Sequence, residues 1–375
     1  MLVHAPPSSS GSLIRLLESL RRADFFSSAP PRLTIELPHE VDDATRRYLE
    51  RFRWPPSSDG SAGNLLTLHH RIPQHGLTAE ENSIRFLEAF WPANPESSHV
   101  LILSPQVELS PLFFHYLKYT MLEYKYSASN VDTHQNLLSI SLDLPSTHIN
   151  NSADFEPPSA GQSSGVEATQ FLWQAPNSNA ALYFGDKWVE LHDFVTNLLT
   201  SQHTLPTPTA LDQKLVSKIY PSWLEHILKL SRARGYWSLY PNFKNTDALE
   251  TLHTELYQPP EEYFNDPEMA SPNPSSELTA GPQLPHMHPE TALISKSLLS
   301  ALPNNGDLPR MMDMPLLTWD GERVKVTVIE QNAVDYSRIF QQEIGGCDAT
   351  AAPKKRVGLT ASDLFCLNDE IFDKL

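Results

Sequence analysis

The sequence predicts an α/β protein built on an open, mostly parallel twisted sheet flanked by helices, with a small C-terminal hairpin and helix extension. Three observations predict it. Short aliphatic runs alternate along the chain with amphipathic helical patterns. The run Val100-Leu101-Ile102-Leu103 is apolar on both of its alternating faces, as a strand covered by helices on both sides must be. The length of 375 residues is enough to bury a sizeable core.

Each element follows from local pattern. Met1 to Ala5 predicts a strand, Pro6 to Ser12 a turn, and Leu13 to Phe26 a helix whose apolar stripe is Leu13, Leu16, Leu17 and Leu20. Arg32 to Leu37 alternates as a second strand, stopped by Pro38. Asp42 or Asp43 caps the next helix, which runs through Tyr48, Leu49 and Phe52. Leu65 to His70 predicts a third strand, and Thr78 with Glu81 makes a capping box for a helix from Ala79 to Phe90. Three strand–helix units therefore lead into the strand at Val100, the order of a doubly wound sheet. After that strand a polar turn gives way to Ser110 and Pro111, a cap and first turn for a helix carrying Phe113, Phe114, Leu117 and Met121. That helix continues through Tyr124 and Tyr126, and Leu137 to Leu142 is a further strand.

The second half repeats the alternation. A short strand at Phe171 to Trp173, a small polar loop, the run Ala180 to Phe184 and an amphipathic helix follow one another. Tyr220-Pro221-Ser222 leads a helix stopped by Gly235, and Trp237 to Tyr240 is the next strand. Near the end, Leu316 to Trp319 and Arg323 to Glu330 predict a hairpin around Asp320-Gly321. Asp335 to Gln342 predicts a short helix, and a polar tail runs from Lys354.

Composition narrows the function classes. The formal charge is −17 and the pI near 5.3, the reverse of the Lys/Arg excess that a nucleic-acid surface needs. The two cysteines, Cys347 and Cys366, lack metal-ligand spacing and support neither a zinc site nor a disulfide framework. No apolar run reaches the length of a membrane span and the first residues do not form a signal peptide, so a soluble chain with no membrane contact is expected.

The best functional address is Ser104 to Ser110, because ligands of open α/β sheets bind beyond the carboxyl ends of the strands. Here Leu103, Val107, Glu108, Leu109, Ser110 and Pro111 resemble the central motif of GT-A-fold, nucleotide-sugar-dependent glycosyltransferases, in which a hydrophobic strand ends in an acidic cluster followed by an acid and Ser-Pro. Ser104-Pro105-Gln106 stands where that family has its acidic cluster. Leu16-Leu17-Glu18-Ser19-Leu20 is similar to the first helix of such enzymes. The series Trp223-Leu224-Glu225, Arg234-Gly235-Tyr236 and Leu239 to Phe243 looks like uncharacterised eukaryotic, fungal- or plant-like proteins assigned to glycosyltransferase family 2. The likeness spans residues 1–243.

The resemblance implies a nucleotide-sugar-binding half over residues 1–150, a mobile loop at 151–166 and an acceptor-side half over 167–257. A Pro/Ser-rich linker at 258–300 and a C-terminal extension at 301–375 complete it. It implies transfer of a sugar, with inversion, from a nucleotide-sugar donor to a hydroxyl of a glycan, protein or lipid. Ser104, Gln106, Glu108 and Glu36 are the expected donor contacts, and Glu108 is the expected ligand of a Mn2+ or Mg2+ ion. Inverting transfer needs a carboxylate base, for which Glu190, Asp193, Asp186 and Glu225 are the candidates. The rival expectation is a catalytically inactive GT-A-like partner protein that has lost the acidic cluster. Family resemblance also implies a secretory-pathway membrane setting, in Golgi or endoplasmic reticulum, with any anchor lying outside a domain that starts at Met1.

Overall fold

The computed structural model describes residues 1–5, 10–26, 28–38, 40–56, 64–70, 84–127, 134–150, 153–158, 170–202, 214–217, 220–243, 247–253, 292–302, 306–348 and 356–366. The expected capping box at Thr78 and Glu81, most of the loop at 151–166 and most of the linker at 258–300 lie outside these residues, whereas 292–300 carry a short strand and the start of a helix in place of linker.

In chain order the strands are β1 (Leu2–His4), β2 (Leu33–Leu37), β3 (Leu66–His70), β4 (Val100–Leu103), β5 (Val107–Leu109), β6 (Leu137–Ser141), β7 (Gln170–Trp173), β8 (Ala180–Tyr183) and β9 (Trp237–Pro241). The short strands β10 (Asp247–Ala248), β11 (Glu250–Leu252), β12 (Ala292–Leu293), β13 (Leu316–Leu317) and β14 (Arg323–Val324) follow. The helices are α1 (Ser10–Arg22), α2 (Asp43–Arg51), α3 (Phe113–Met121), α4 (Gly185–Gln202), α5 (Trp223–Arg234), α6 (Leu298–Ala301) and α7 (Val326–Glu343).

Ten strands form one sheet in the order β14-β13-β7-β9-β6-β8-β4-β1-β2-β3. Strands β1, β2, β3, β4, β6, β9 and β14 share one direction, while β7, β8 and β13 run against them. The protein is thus mixed α/β with a large, mostly parallel sheet. Helices cover both faces. On β4, Leu101 and Leu103 belong to one core with Leu16 and Leu20 of α1 and Phe113 of α3, whereas Val100 and Ile102 belong to the other, with Trp188 of α4, Ile227 of α5 and Phe340 of α7. That double burial is why the Val100 run is apolar throughout.

Local chemistry fixes the element ends. Asp42 caps α2 by accepting the Thr45 N–H at 2.9 Å. The Ser110 hydroxyl accepts the Leu112 N–H at 3.0 Å ahead of α3. Gly235 ends α5 in the left-handed region, with φ of 69°.

Three expectations are corrected. The stretch after β4 is not all turn, because Val107–Leu109 forms β5, which pairs antiparallel with β11 along α1. The predicted second arm of the hairpin ends at Val324, and α7 begins at Val326 and runs to Glu343, far longer than Asp335 to Gln342. Val324-Lys325-Val326-Thr327-Val328 alternates like a strand, but Ile329, Ala333, Tyr336 and Phe340 recur at helical spacing and are the residues α7 buries. Cys347 and Cys366 are joined in a disulfide. It ties the end of α7 to the segment around Asp363, a pairing that spacing alone did not announce.

Candidate functional site

Among the strands that share one direction, the order reverses at one place. From β1 the chain winds outward through β2 to β3, then returns to lay β4 on the other side of β1. Such a switch point leaves a crevice at the carboxyl ends of the strands, because the connections leave in opposite directions.

His4 ends β1 and Glu36 lies near the end of β2. The His4 Nδ1 stands 3.0 Å from a Glu36 carboxylate oxygen, and the ring meets Phe86 edge-on at 5.4 Å. Ser104 follows β4. Its N–H donates to the Asn179 carbonyl at 2.6 Å, and its hydroxyl accepts the Gln106 N–H at 3.3 Å. Gln106 is buried, and its carbonyl accepts the His253 N–H.

Across β8 lies a denser polar knot. The Asn177 carbonyl of the side chain accepts the N–H groups of Asn179 at 2.7 Å and Ala180 at 3.2 Å, the Asx turn that launches β8. The side-chain amides of Asn177 and Asn179 both donate to one oxygen of Asp143, at 2.8 and 2.9 Å. Asp143 follows the end of β6, and with Asn177, Ser178, Asn179, Tyr220 and Tyr240 it lines a small hollow. Glu250 of β11 approaches Asp143 from the face that carries β5. Burial first, then the neighbouring Asp143, push the Glu250 carboxyl well above the usual carboxylate range. One oxygen of Glu250 is buried without a hydrogen-bond partner among the described residues.

Of the expected donor contacts, Ser104, Gln106 and Glu36 sit at or beside the carboxyl edge. Glu108 does not face the crevice. It lies on β5, half-buried, with Arg22 donating to one carboxylate oxygen and the His253 Nε2 beside the other, each at 3.0 Å. A carboxylate flanked by a guanidinium and an imidazole does not fit a hard divalent cation, which needs several oxygen donors. Among the described residues no group of three His, Cys, Asp or Glu side chains is placed to hold a metal ion.

The four candidate bases do not converge. Asp186, Glu190 and Asp193 lie on α4, which starts where β8 ends, at the amino edge of its parallel neighbours. Asp186 pairs with Lys125 at 3.0 Å and Lys187 at 3.5 Å; burial opposes its ionisation, but the two ammonium groups hold its pKa below the usual range. Glu190 is fully buried and bound by Arg234, Tyr236 and Arg356 at 2.6 to 2.9 Å. Asp193 accepts the Ala361 N–H at 2.7 Å. Glu225 opens α5 and accepts the N–H groups of Leu215 and Val216 at 3.0 and 2.8 Å. All four carboxylates are engaged by neighbouring groups of the fold, and one oxygen each of Asp186 and Glu225 is buried without a hydrogen-bond partner among the described residues.

Sequence reasoning did not single out Asp143, Asn177, Asn179 or Glu250. The available signal was the small polar loop ahead of Ala180 and the acid just past a buried strand. Glu250 carried none, since its partner Asp143 is remote in sequence.

The fold is that of a mixed α/β protein whose parallel strands reverse their order at β1. The chain belongs to the family described as the SPBC1E8.03c C-terminal domain, which it matches over residues 11–204, just over half of its length. No curated protein matches it. No described helix is long and apolar enough to cross a membrane.

Proposed function

We propose that this is a GT-A-like glycosyltransferase that holds a nucleotide-sugar donor in the carboxyl-edge crevice beside β1 and β4. It passes the sugar, with inversion, to a hydroxyl of a glycan, protein or lipid. The observation that carries the reading is the reversal of strand order at β1, with His4, Glu36, Ser104 and the Asp143–Asn177–Asn179 knot gathered along the same edge. Hydrogen-bonding side chains set along the strand edge that holds a switch point suit a polar ligand of sugar and diphosphate. A second reading, an inactive GT-A-like binding or partner protein, is favoured by one observation: Glu108 is engaged by Arg22 and His253, and the four expected bases serve the scaffold.

Thermal melting with UDP, GDP and their sugar conjugates, with and without Mn2+, tests both. A ligand at a hundredfold its Kd stabilises by about 2.7 kcal/mol, a clear rise in melting temperature. A shift with steady release of free nucleotide supports transfer. A shift without turnover supports the binding protein, and no shift with any sugar nucleotide overturns both.

A further inference from the structure

A second surface stands apart from the carboxyl edge. Helices α1 and α2 and the chain after α2 enclose a groove of about 710 Å³, lined by Arg21, Arg47, Arg51, Arg53, Tyr48 and Phe52. All four arginines are exposed. Three of them come from the eight residues Arg46 to Arg53, in a chain whose formal charge is −17. Packing explains the backbone here but not the charge. Thr45 and Leu49 bury the inner face of α2, so the core leaves the outer face unconstrained.

The guanidinium groups differ in what engages them. Arg21 pairs with Glu18 at 2.9 Å, and Glu18 also accepts the Tyr48 hydroxyl at 2.6 Å. Arg53 donates to the backbone carbonyls of Glu50 and Phe52. Arg47 and Arg51 have no carboxylate partner among the described residues. They stand four residues apart on one helix, one turn from each other, where two carboxylates of a single ligand reach both.

We propose that this groove docks an acidic segment of a partner polypeptide that carries apolar side chains between its carboxylates. The guanidinium forks bind carboxylates in bidentate fashion. Ile14, Phe52 and Pro55 give the groove an apolar wall that a bare polyanion leaves unused. Nucleic acid and anionic bilayers present charge over wide areas, so the acidic remainder of this protein repels them. A short peptide confines its charge to the groove, and charges farther than the screening length of about 8 Å at physiological salt contribute little.

The test uses the full chain and a fluorescent copolymer of glutamate and tyrosine. Saturable binding that weakens as salt rises is expected, reduced roughly tenfold in the R47E/R51E variant at unchanged melting temperature. An R47Q/R51Q variant serves should the reversed charges disturb folding, and its binding falls by a smaller factor. Equal binding by the variants overturns the proposal. So does binding of RNA or of phosphatidylserine vesicles in place of the copolymer.

Discussion

The two edges of the sheet treat buried acids in opposite ways. At the amino edge Glu190 is enclosed by Arg234, Arg356 and Tyr236, and Asp363 completes the array through two oxygens on Arg234. At the carboxyl edge Asp143 meets neutral amides and a second carboxyl group, Glu250. A carboxylate saturated by cations is a rivet, and removing it leaves buried charges unpaired. A carboxylate held by amides keeps its position while its remaining lone pairs stay open to a ligand.

The sharpest way to break this comparison is Glu190→Ala. It leaves Arg234 and Arg356 facing a void and is expected to cost about 3–5 kcal/mol, read by chemical denaturation. Should that variant keep its stability and lose only sugar-nucleotide turnover, Glu190 is a catalytic group and the contrast between the edges fails. The next test is pH. Glu250 has a raised pKa in the folded protein, so its contribution to stability is complete below the ordinary carboxyl value of about 4.5 and is lost as pH rises through the folded value. Glu250→Gln keeps a donor toward Asp143 and removes that slope, so the variant gains on the parent as pH rises. His99, near the amino edge, has the opposite sign. Burial, then Lys125, lowers its pKa from 6.5 to about 4, so stability present above pH 6.5 is lost as pH falls through 4. His99→Gln flattens that acid limb. Parallel curves for parent and variants would remove the electrostatic distinction. The smallest effect is expected at Asp42→Ala, about 1 kcal/mol from the lost cap of α2, with nucleotide-sugar binding unchanged.

Most of the sheet was legible because its central strands are buried on both faces. The Val100 run is apolar throughout for that reason, the runs at Leu33, Leu137 and Trp237 carry Thr, Glu or Ser among their apolar residues, and the order of all four with the helices implied parallel connections. Strand order was not legible. Nothing in Ala180 to Tyr183 tells that β8 is inserted antiparallel between β4 and β6, since a pleated strand reads the same in either direction. The candidate site was legible only where a strand ends. Ser104 and Gln106 follow an obvious strand, and Glu36 lies near the end of another. Glu108 misled because the pattern places it in the turn, whereas β11 draws it into a ladder against Thr251. The carboxyl pair escaped because each acid is ordinary in its own neighbourhood and gains meaning only from the other.

The placement of β1 and β9 has a practical consequence. β1 joins β2 to β4, and β9 joins β6 to β7, yet the two are supplied by residues 2–4 and 237–241. A fragment trimmed to residues 11–204 would carry outer strands without the ones that seam them, leaving raw hydrogen-bonding edges at two interior breaks. Such a piece is expected to aggregate rather than fold, so expression of this protein calls for boundaries that enclose both seams.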